Sequence, residues 1–449
     1  MPRLLSFSTV VLLAWPFLAR AQTPDLNAIL QRLDRLEREN RELADQVRSL
    51  QARLDGKPAP APPNMTAEPQ PVEVPIDQRV EIVERRVQDL AQTRVEASQK
   101  FPIRLTGMAL FNAFLNSRQG GGFDYPVTAA PTGPNHAGAT LRQTIVGLEF
   151  RGPMTVGGGT VRGDVYMDFF AGATNQAMRL RTASIEIDWK SRSIMVGLEK
   201  PIFNPREPSS LAQVGVSPLT GAGNLWLWLP QVRAEQDFSW GRSSGLRAQV
   251  GVLQTREVLP YPGASVPGSL EPARPAFEGR FEVYHKLDDD RRLEFASGFH
   301  TSTTHIGGLS LPSSLYSFDW FFNPLRRVEL TGAFYNGKNV AVLGNGYGQG
   351  FYGYGRYQQS VPSVGGWAQV TIHAAPRVDF HLFHGQQDDE NADLTAGRIG
   401  KNLMFGGNLY YRIAPNVLIG LEASQLRTMY VRQGVRINNH YDLALAYSF

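Results

Sequence analysis

From Phe101 to Phe449 the connections between strand-like runs are sorted by length, short alternating with long, and this restricts the fold more than any single motif. The short ones are Lys190–Arg192, Trp240–Ser244, Leu287–Arg291, Asn323–Arg327, Ala374–Pro376 and Ala414–Asn416. The long ones are 118–139, 201–230, 257–274, 338–362 and 386–399. A soluble sandwich has no physical reason to sort its loops this way. A membrane-spanning barrel does, because its turns on one side of the bilayer are short and its loops on the other are long.

The runs themselves have period two, so each presents one face of each kind. The last, Tyr441 to Phe449, puts Tyr441, Leu443, Leu445, Tyr447 and Phe449 on one face and Asp442, Ala444, Ala446 and Ser448 on the other. Val161, Val165, Met167 and Phe169 likewise oppose Arg162, Asp164, Tyr166 and Asp168. Runs of this kind fall near 101–117, 140–152, 159–171, 179–190, 192–200, 231–240, 244–256, 275–287, 291–301, 314–323, 327–337, 363–375, 376–385, 400–414, 416–430 and 439–449. Most are of the roughly 9–11 residues, or somewhat more, that cross a bilayer at a tilt. The fold class expected is an all-β transmembrane barrel of about sixteen antiparallel strands. It must close, since an open edge would leave backbone groups unpaired in hydrocarbon.

Charged residues make up 19% of the chain and mean hydropathy is −0.25, which excludes a bundle of spanning helices. In a barrel such charge needs no hydrocarbon partner if it faces a wet interior. Inward parity selects Glu149, Arg151, Arg162, Asp164, Glu186, Arg233, Glu235, Arg247, Arg280, Glu282, Glu294 and Glu329. The long connection 201–230 adds Arg206 and Glu207. Such residues either set a field across a narrow pore or hydrate the wall and pair with one another. The net charge of +4 is small and scattered, so no nucleic-acid partner is expected. Cysteine is absent, so no disulfide contributes.

The N-terminus reads differently. Arg3, the apolar run Val10–Leu18 and Ala19-Arg20-Ala21 form a secretory signal peptide over 1–21. Residues 22–55 carry uninterrupted heptads, with Leu26, Leu33, Asn40, Val47 and Leu54 at a and Ile29, Leu36, Leu43 and Leu50 at d. The a positions are mostly Leu rather than β-branched, which leans towards three or more helices, and Asn40 would set register. A proline-rich spacer follows over 56–75, then a second short helix within 76–100 bearing Ile76, Val80, Val83, Val87 and Leu90. The barrel occupies 101–449. With an even strand number, both barrel ends and the coiled coil would lie in the periplasm.

With its signal peptide, heptads, sixteen strands and terminal Phe449, the chain resembles trimeric outer-membrane porins with an N-terminal periplasmic coiled coil, the phosphate-selective, sucrose and dicarboxylate-type group. The resemblance implies a homotrimer, the heptad residues from Leu26 to Leu54 serving assembly. It implies a C-terminal aromatic, here Phe449, read by the barrel-assembly machinery. It also implies a third long loop, here 201–230, folded into the barrel. No residue motif of one subfamily is present, so no solute is implied.

The expected function is passive diffusion of small hydrophilic solutes or ions across the outer membrane, in contact with its lipid and lipopolysaccharide. The alternative is a structural anchor whose coiled coil ties the envelope to peptidoglycan. No enzyme activity, cofactor or metal is expected. No convergent Ser/His/acid set is legible. Gly332–Lys338 approaches a P-loop, but Asn339 stands where Ser or Thr is needed. His381 and His384 are three apart and point to opposite faces of a strand. Asp388, Asp389, Glu390 and Asp393 read as a solvated extracellular loop.

Overall fold

The computed structural model describes residues 103–171, 176–255, 275–306, 309–354 and 357–449. The signal peptide, the heptads, the spacer, the second helix and the 257–274 connection lie outside these residues.

Nineteen strands follow in chain order: β1 (Ile103–Asn116), β2 (His136–Thr140), β3 (Ile145–Thr155), β4 (Gly159–Asp168), β5 (Arg179–Asp188), β6 (Arg192–Glu199), β7 (Leu229–Trp240), β8 (Ser244–Leu253), β9 (Ala276–Lys286), β10 (Arg292–Ile306), β11 (Leu309–Leu325), β12 (Val328–Lys338), β13 (Phe351–Tyr354), β14 (Tyr357–Ser360), β15 (Pro362–Ala375), β16 (Val378–Asp389), β17 (Ile399–Ala414), β18 (Val417–Tyr430) and β19 (Gly434–Ser448). β13 and β14 form a small hairpin outside the main sheet. β2 and β3 share one wall position, pairing with the upper and lower parts of β1. The wall therefore has sixteen positions, each antiparallel to its neighbours, and it closes where β1 meets β19 with Met108 opposite Ser448 and Phe111 opposite Leu445. Closure leaves no sheet edge, as a hydrocarbon surround requires.

The sequence-derived strand placement holds for all sixteen, with one difference. The single run expected at 140–152 is broken at residues 141–144, where Gln143 turns inward to receive a loop. The barrel has one layer, so its two faces are an outside and an inside. Leu443, Leu445 and Tyr447 are 46–49% exposed, whereas Ala444, Ala446 and Asp442 are at most 6% exposed. The same outward exposure holds for Val232, Phe281, Phe295, Phe318 and Leu421. The tight turns fall at one end. At one of them Gly157 and Gly158 adopt φ of +72° and +74°, a left-handed geometry that side chains resist. The terminal residue belongs to the closure: Gly107 and Phe449 exchange two backbone hydrogen bonds of 3.1 Å.

Candidate pore and its constriction

The interior is not empty. Residues 200–228 fold into it and lap the inner wall, held by one inward polar group after another. Ile202 donates its N–H to Glu278 on β9 at 2.7 Å, and Ser317 on β11 donates to the Phe203 carbonyl at 3.1 Å. Ser209 donates its N–H to Gln369 on β15 at 2.7 Å, and Asn408 on β17 donates to the Ser209 carbonyl at 2.9 Å. The Ser210 hydroxyl donates to Glu422 on β18 at 2.7 Å. Asn112 on β1 donates to the Leu211 carbonyl at 2.9 Å. Gln143 donates to the Ala212 carbonyl at 2.8 Å and accepts from the N–H groups of Val214 and Gly215 at 2.6 and 2.8 Å. Arg181 on β5 completes the lap on the Val214 carbonyl at 2.7 Å. A loop buried inside a barrel must have its backbone groups satisfied, and the wall supplies that set.

Residues 217–224 then cross back to β15–β17, where Asn402 donates to the Gly221 carbonyl at 2.8 Å. The approach is close. A Cβ on Gly223 would lie 2.3 Å from the Gly366 carbonyl oxygen, and one on Gly385 would lie 2.2 Å from that of Ala222. Glycine is required on both sides of this contact.

Two further loops enter the same end. In the first, Ala129 donates its N–H to Thr428 at 2.7 Å, and Asn402 donates to the Val127 carbonyl at 2.9 Å. In the second, the buried turn Val340–Leu343 receives Leu227 N–H at 3.2 Å, and Gln349 donates to Asp389 at 2.8 Å. What remains open between them is a cavity of about 430 Å³, lined among others by Phe123, Tyr125, Phe170, Trp226, Arg142 and Arg179. Arg142, Phe170 and Arg179 in its lining begin a ladder of guanidinium groups and rings that continues beyond the cavity to Trp228 and Arg181. Arg142 lies 4.5 Å over Phe170, Arg179 lies 5.5 Å from Phe170 and 5.3 Å from Trp228, and Arg181 lies 4.6 Å over Trp228. Asp168 pairs with Arg179 and Arg181 at 2.8 Å each, and Asp124 pairs with Arg142 at 2.6 Å.

The expected pore residues all lie on the inward face or on the inserted loop. Arg206 reaches Asp319 at 2.6 Å, Glu294 at 3.0 Å and Glu282 at 3.1 Å. Arg280 pairs with the same Asp319 at 2.7 Å and with Glu282. Arg247 bridges Glu282 at 2.8 Å and Glu235 at 3.3 Å. Here the expectation needs correction: Arg280 and Glu282 are each 2% exposed, sealed between wall and loop rather than bordering water. Arg162 pairs with Glu186 at 3.0 Å, Asp164 accepts from Ser184, and Glu329 lies 3.3 Å from His373. Among the described residues Arg151 and Arg233 have no ion pair, and Arg151 stands opposite Arg162 in the register. Glu207 accepts from Lys200 and Ser217. Burial pushes its carboxyl up, but Lys200 and the Ser217 hydroxyl outweigh that and hold it below its ordinary value.

Three features escaped the sequence. Arg142, Arg179 and Arg181 carry the mouth of the bore, yet nothing in their spacing distinguishes them. Asp389, expected in a solvated loop with Asp388, Glu390 and Asp393, is 2% exposed at the end of β16. Ser302, His300 and Glu278 do converge: His300 contacts Glu278 at 2.8 Å through Nδ1 and Ser302 at 2.9 Å through Nε2. The other Glu278 oxygen accepts the Ile202 N–H, so this set fastens the inserted loop to β9 and β10. Among the described residues no cluster of three or more metal-ligating side chains occurs.

No family model matches the chain, and no curated protein does. Solved structures do. The outer-membrane channel DcaP of Acinetobacter baumannii superposes with a TM-score of 0.62 at 17% identity, over 77% of this chain and 97% of that one. An anion-selective porin from Comamonas acidovorans gives 0.54 at 10% identity, over 77% and 99%. Salmonella typhi OmpF, in complex with daunomycin, gives 0.50 at 11% identity, over 77% and 97%. At such identities the likeness is one of fold: residues 103–449 form a closed sixteen-stranded barrel of the kind found in outer-membrane porins.

Proposed function

We propose that the protein is an outer-membrane channel for passive diffusion of small hydrophilic solutes or ions. The observation that carries this reading is a wall with an apolar outer face and a charged inner face, narrowed by its own long loop. An apolar face of Leu, Phe, Tyr and Val suits hydrocarbon, and Tyr447 and Phe449 suit its interface. The charged inner face suits water. The likeness in fold to channels and porins is consistent with it. The constriction is assigned to residues 200–228, with Arg206, Glu207 and the guanidinium ladder of β5 at its rim. The wider end below carries Arg151, Arg162, Asp164, Glu186, Arg233, Glu235, Arg247, Glu294 and Glu329, where acids outnumber bases. A mild cation preference follows.

The assembly proposed is a homotrimer joined by the heptad residues Leu26 to Leu54, with the coiled coil in the periplasm and Phe449 as the signal to the barrel-assembly machinery. The test is single-channel recording in planar bilayers under a KCl gradient. Stepwise conductance with a small cation-leaning reversal potential is expected. A purified, folded barrel that gives no steps would overturn the reading, and a clear anion preference would overturn the assigned sign. A second role, tethering to peptidoglycan, rests on the heptads and the ~20-residue spacer, which would reach roughly 60 Å extended. Binding to purified sacculi that is lost on removing residues 22–75 would establish it, and binding unchanged by that removal would refute it.

A further inference from the structure

The outer face of β16, β17, β18, β19 and β1 departs from the rest of the wall. Adjacent outward residues form horizontal rows fixed by register. One row runs Leu382, Gly407, Ala423, Tyr441, Leu115, and the row beneath it runs Phe380, Leu409, Leu421, Leu443, Ala113. The small residues Gly407, Ala423 and Ala113 sink below their taller neighbours, and the outer surface has a groove of about 730 Å³ there. Gly407 holds it open: a Cβ at that position would lie 2.8 Å from the Leu382 side chain.

The chemistry above the groove changes within two rows. Next come His384, Phe405, Gln425 and Asn439, and then Gln386, Leu403, Arg427 and Ile437. Arg427 stands four residues up β18 from Ala423, or ~13 Å along the strand. It is held rather than free to wander. It donates to the Gln425 carboxamide at 2.7 Å, lies 5.3 Å over Phe405, and Gln425 in turn donates to Asn439 at 2.8 Å. Among the described residues no carboxylate pairs with it, in contrast to the inward guanidinium groups of Arg162, Arg206, Arg247 and Arg280. The guanidinium is exposed and propped by neutral amides, so its remaining N–H donors are free to meet an anion in a bidentate contact. It stands towards the end of the barrel that carries the long loops, with Ile437 beside it and Met429 and Val435 in the row beyond.

We propose that this face is a docking site for one anionic membrane lipid, its phosphate on Arg427 with Gln425 and Asn439 beside it and one acyl chain in the Gly407–Ala423–Ala113 groove. The proposal rests on the reading that the outer face meets a bilayer. The groove supplies shape, and the polar cluster lies at one end of it only, so the site fits a molecule with a phosphate head and an apolar tail in that orientation. A second copy of the chain would cover the groove equally but would not explain an uncompensated cation at its upper end.

The test uses the full barrel purified in detergent and titrated with diphosphoryl lipid A, with bound lipid counted by native mass spectrometry. Heat-modifiable gel migration verifies folding of each variant, and bilayer conductance is recorded from the same preparations. One retained lipid per chain is expected. Arg427→Gln should weaken retention at least tenfold, as should Ala423→Trp, while Val250→Trp on the far wall leaves it unchanged. Conductance should be the same in all three. Equal retention by Arg427→Gln, or equal retention of a lipid A stripped of phosphate, overturns the proposal. Loss of an oligomer in Ala423→Trp without change in lipid count overturns it in favour of a subunit contact. Absence of conductance in every preparation would count against the channel instead and leave the lipid result standing on its own.

Discussion

The two ends of the bore are built on opposite plans. At the long-loop end, three loops press against the wall, and the space is filled by Leu219, Trp367, Phe383, Met404 and Leu426 with amide side chains between them. At the short-turn end, Arg151, Arg162, Glu186, Glu235 and Glu329 stand half-exposed or exposed on a bare wall. Charge is tolerated in the packed part only when tied off, as in Arg280 with Asp319 and Glu282, because desolvation outweighs what an unpaired charge would gain. In the open part water does that work and pairing is optional. For the proposed channel, the difference teaches where selectivity would reside: geometry at one end, a weak mixed field at the other.

The contrast breaks most completely if the inserted loop is removed. Replacing residues 209–224 by a short glycine-serine bridge should raise single-channel conductance several-fold. Unaltered conductance would mean that the loop does not set the narrowest point. A milder insult is Gly385→Val, which places carbon atoms where the Ala222 carbonyl now lies. The loop should lift from β15–β17 and the channel should become noisy, with the barrel still folded on a gel; quiet wild-type traces would contradict the contact.

Arg206→Ala leaves Asp319 with Arg280 alone, Glu282 with Arg280 and Arg247, and Glu294 with Arg292, a loss of up to about 3–5 kcal/mol where the site is buried. Thermal unfolding should shift down and cation preference should rise, because negative charge is uncovered at the rim. Smallest of all should be Glu186→Gln with Glu235→Gln in the open end. Each removes an exposed pair contributing about 0–1 kcal/mol. The reversal potential should move slightly towards zero with no change in unfolding temperature. Acid provides a further check. Glu207 has a folded value below its ordinary 4.5, so its hold on Lys200 and Ser217 is complete above that value and is lost as pH falls through the lower one. Conductance should be steady from neutral down to the ordinary carboxylate value and should fluctuate only once the pH falls below it.

Much of this was legible beforehand. Period-two runs locate every wall strand because a one-residue slip would turn each side chain to the wrong solvent. Tyr441 to Phe449 show both faces in nine residues. The inward parity of Arg162, Glu186 and Glu235 follows from the same rule. What was not legible was which inward residues meet water. Arg280 and Glu282 have the parity of Arg247, but the loop covers them and not it. The break at Gln143, the mouth arginines and the Glu278–His300–Ser302 set depend on partners distant in sequence, as in the contact of Asn112 with Leu211 across 99 residues.

Sequence by itself determined the wall: strand number, the direction of each side chain, the ordering of turns and loops, and the need to close. These are local consequences of alternation and of the cost of an unpaired backbone in hydrocarbon. Only the tertiary structure decided the bore. Where three loops fold, which charges they seal and how much space they leave are set by hydrogen bonds between distant segments, and by glycines such as Gly223 and Gly385 whose reason appears only when two backbones meet.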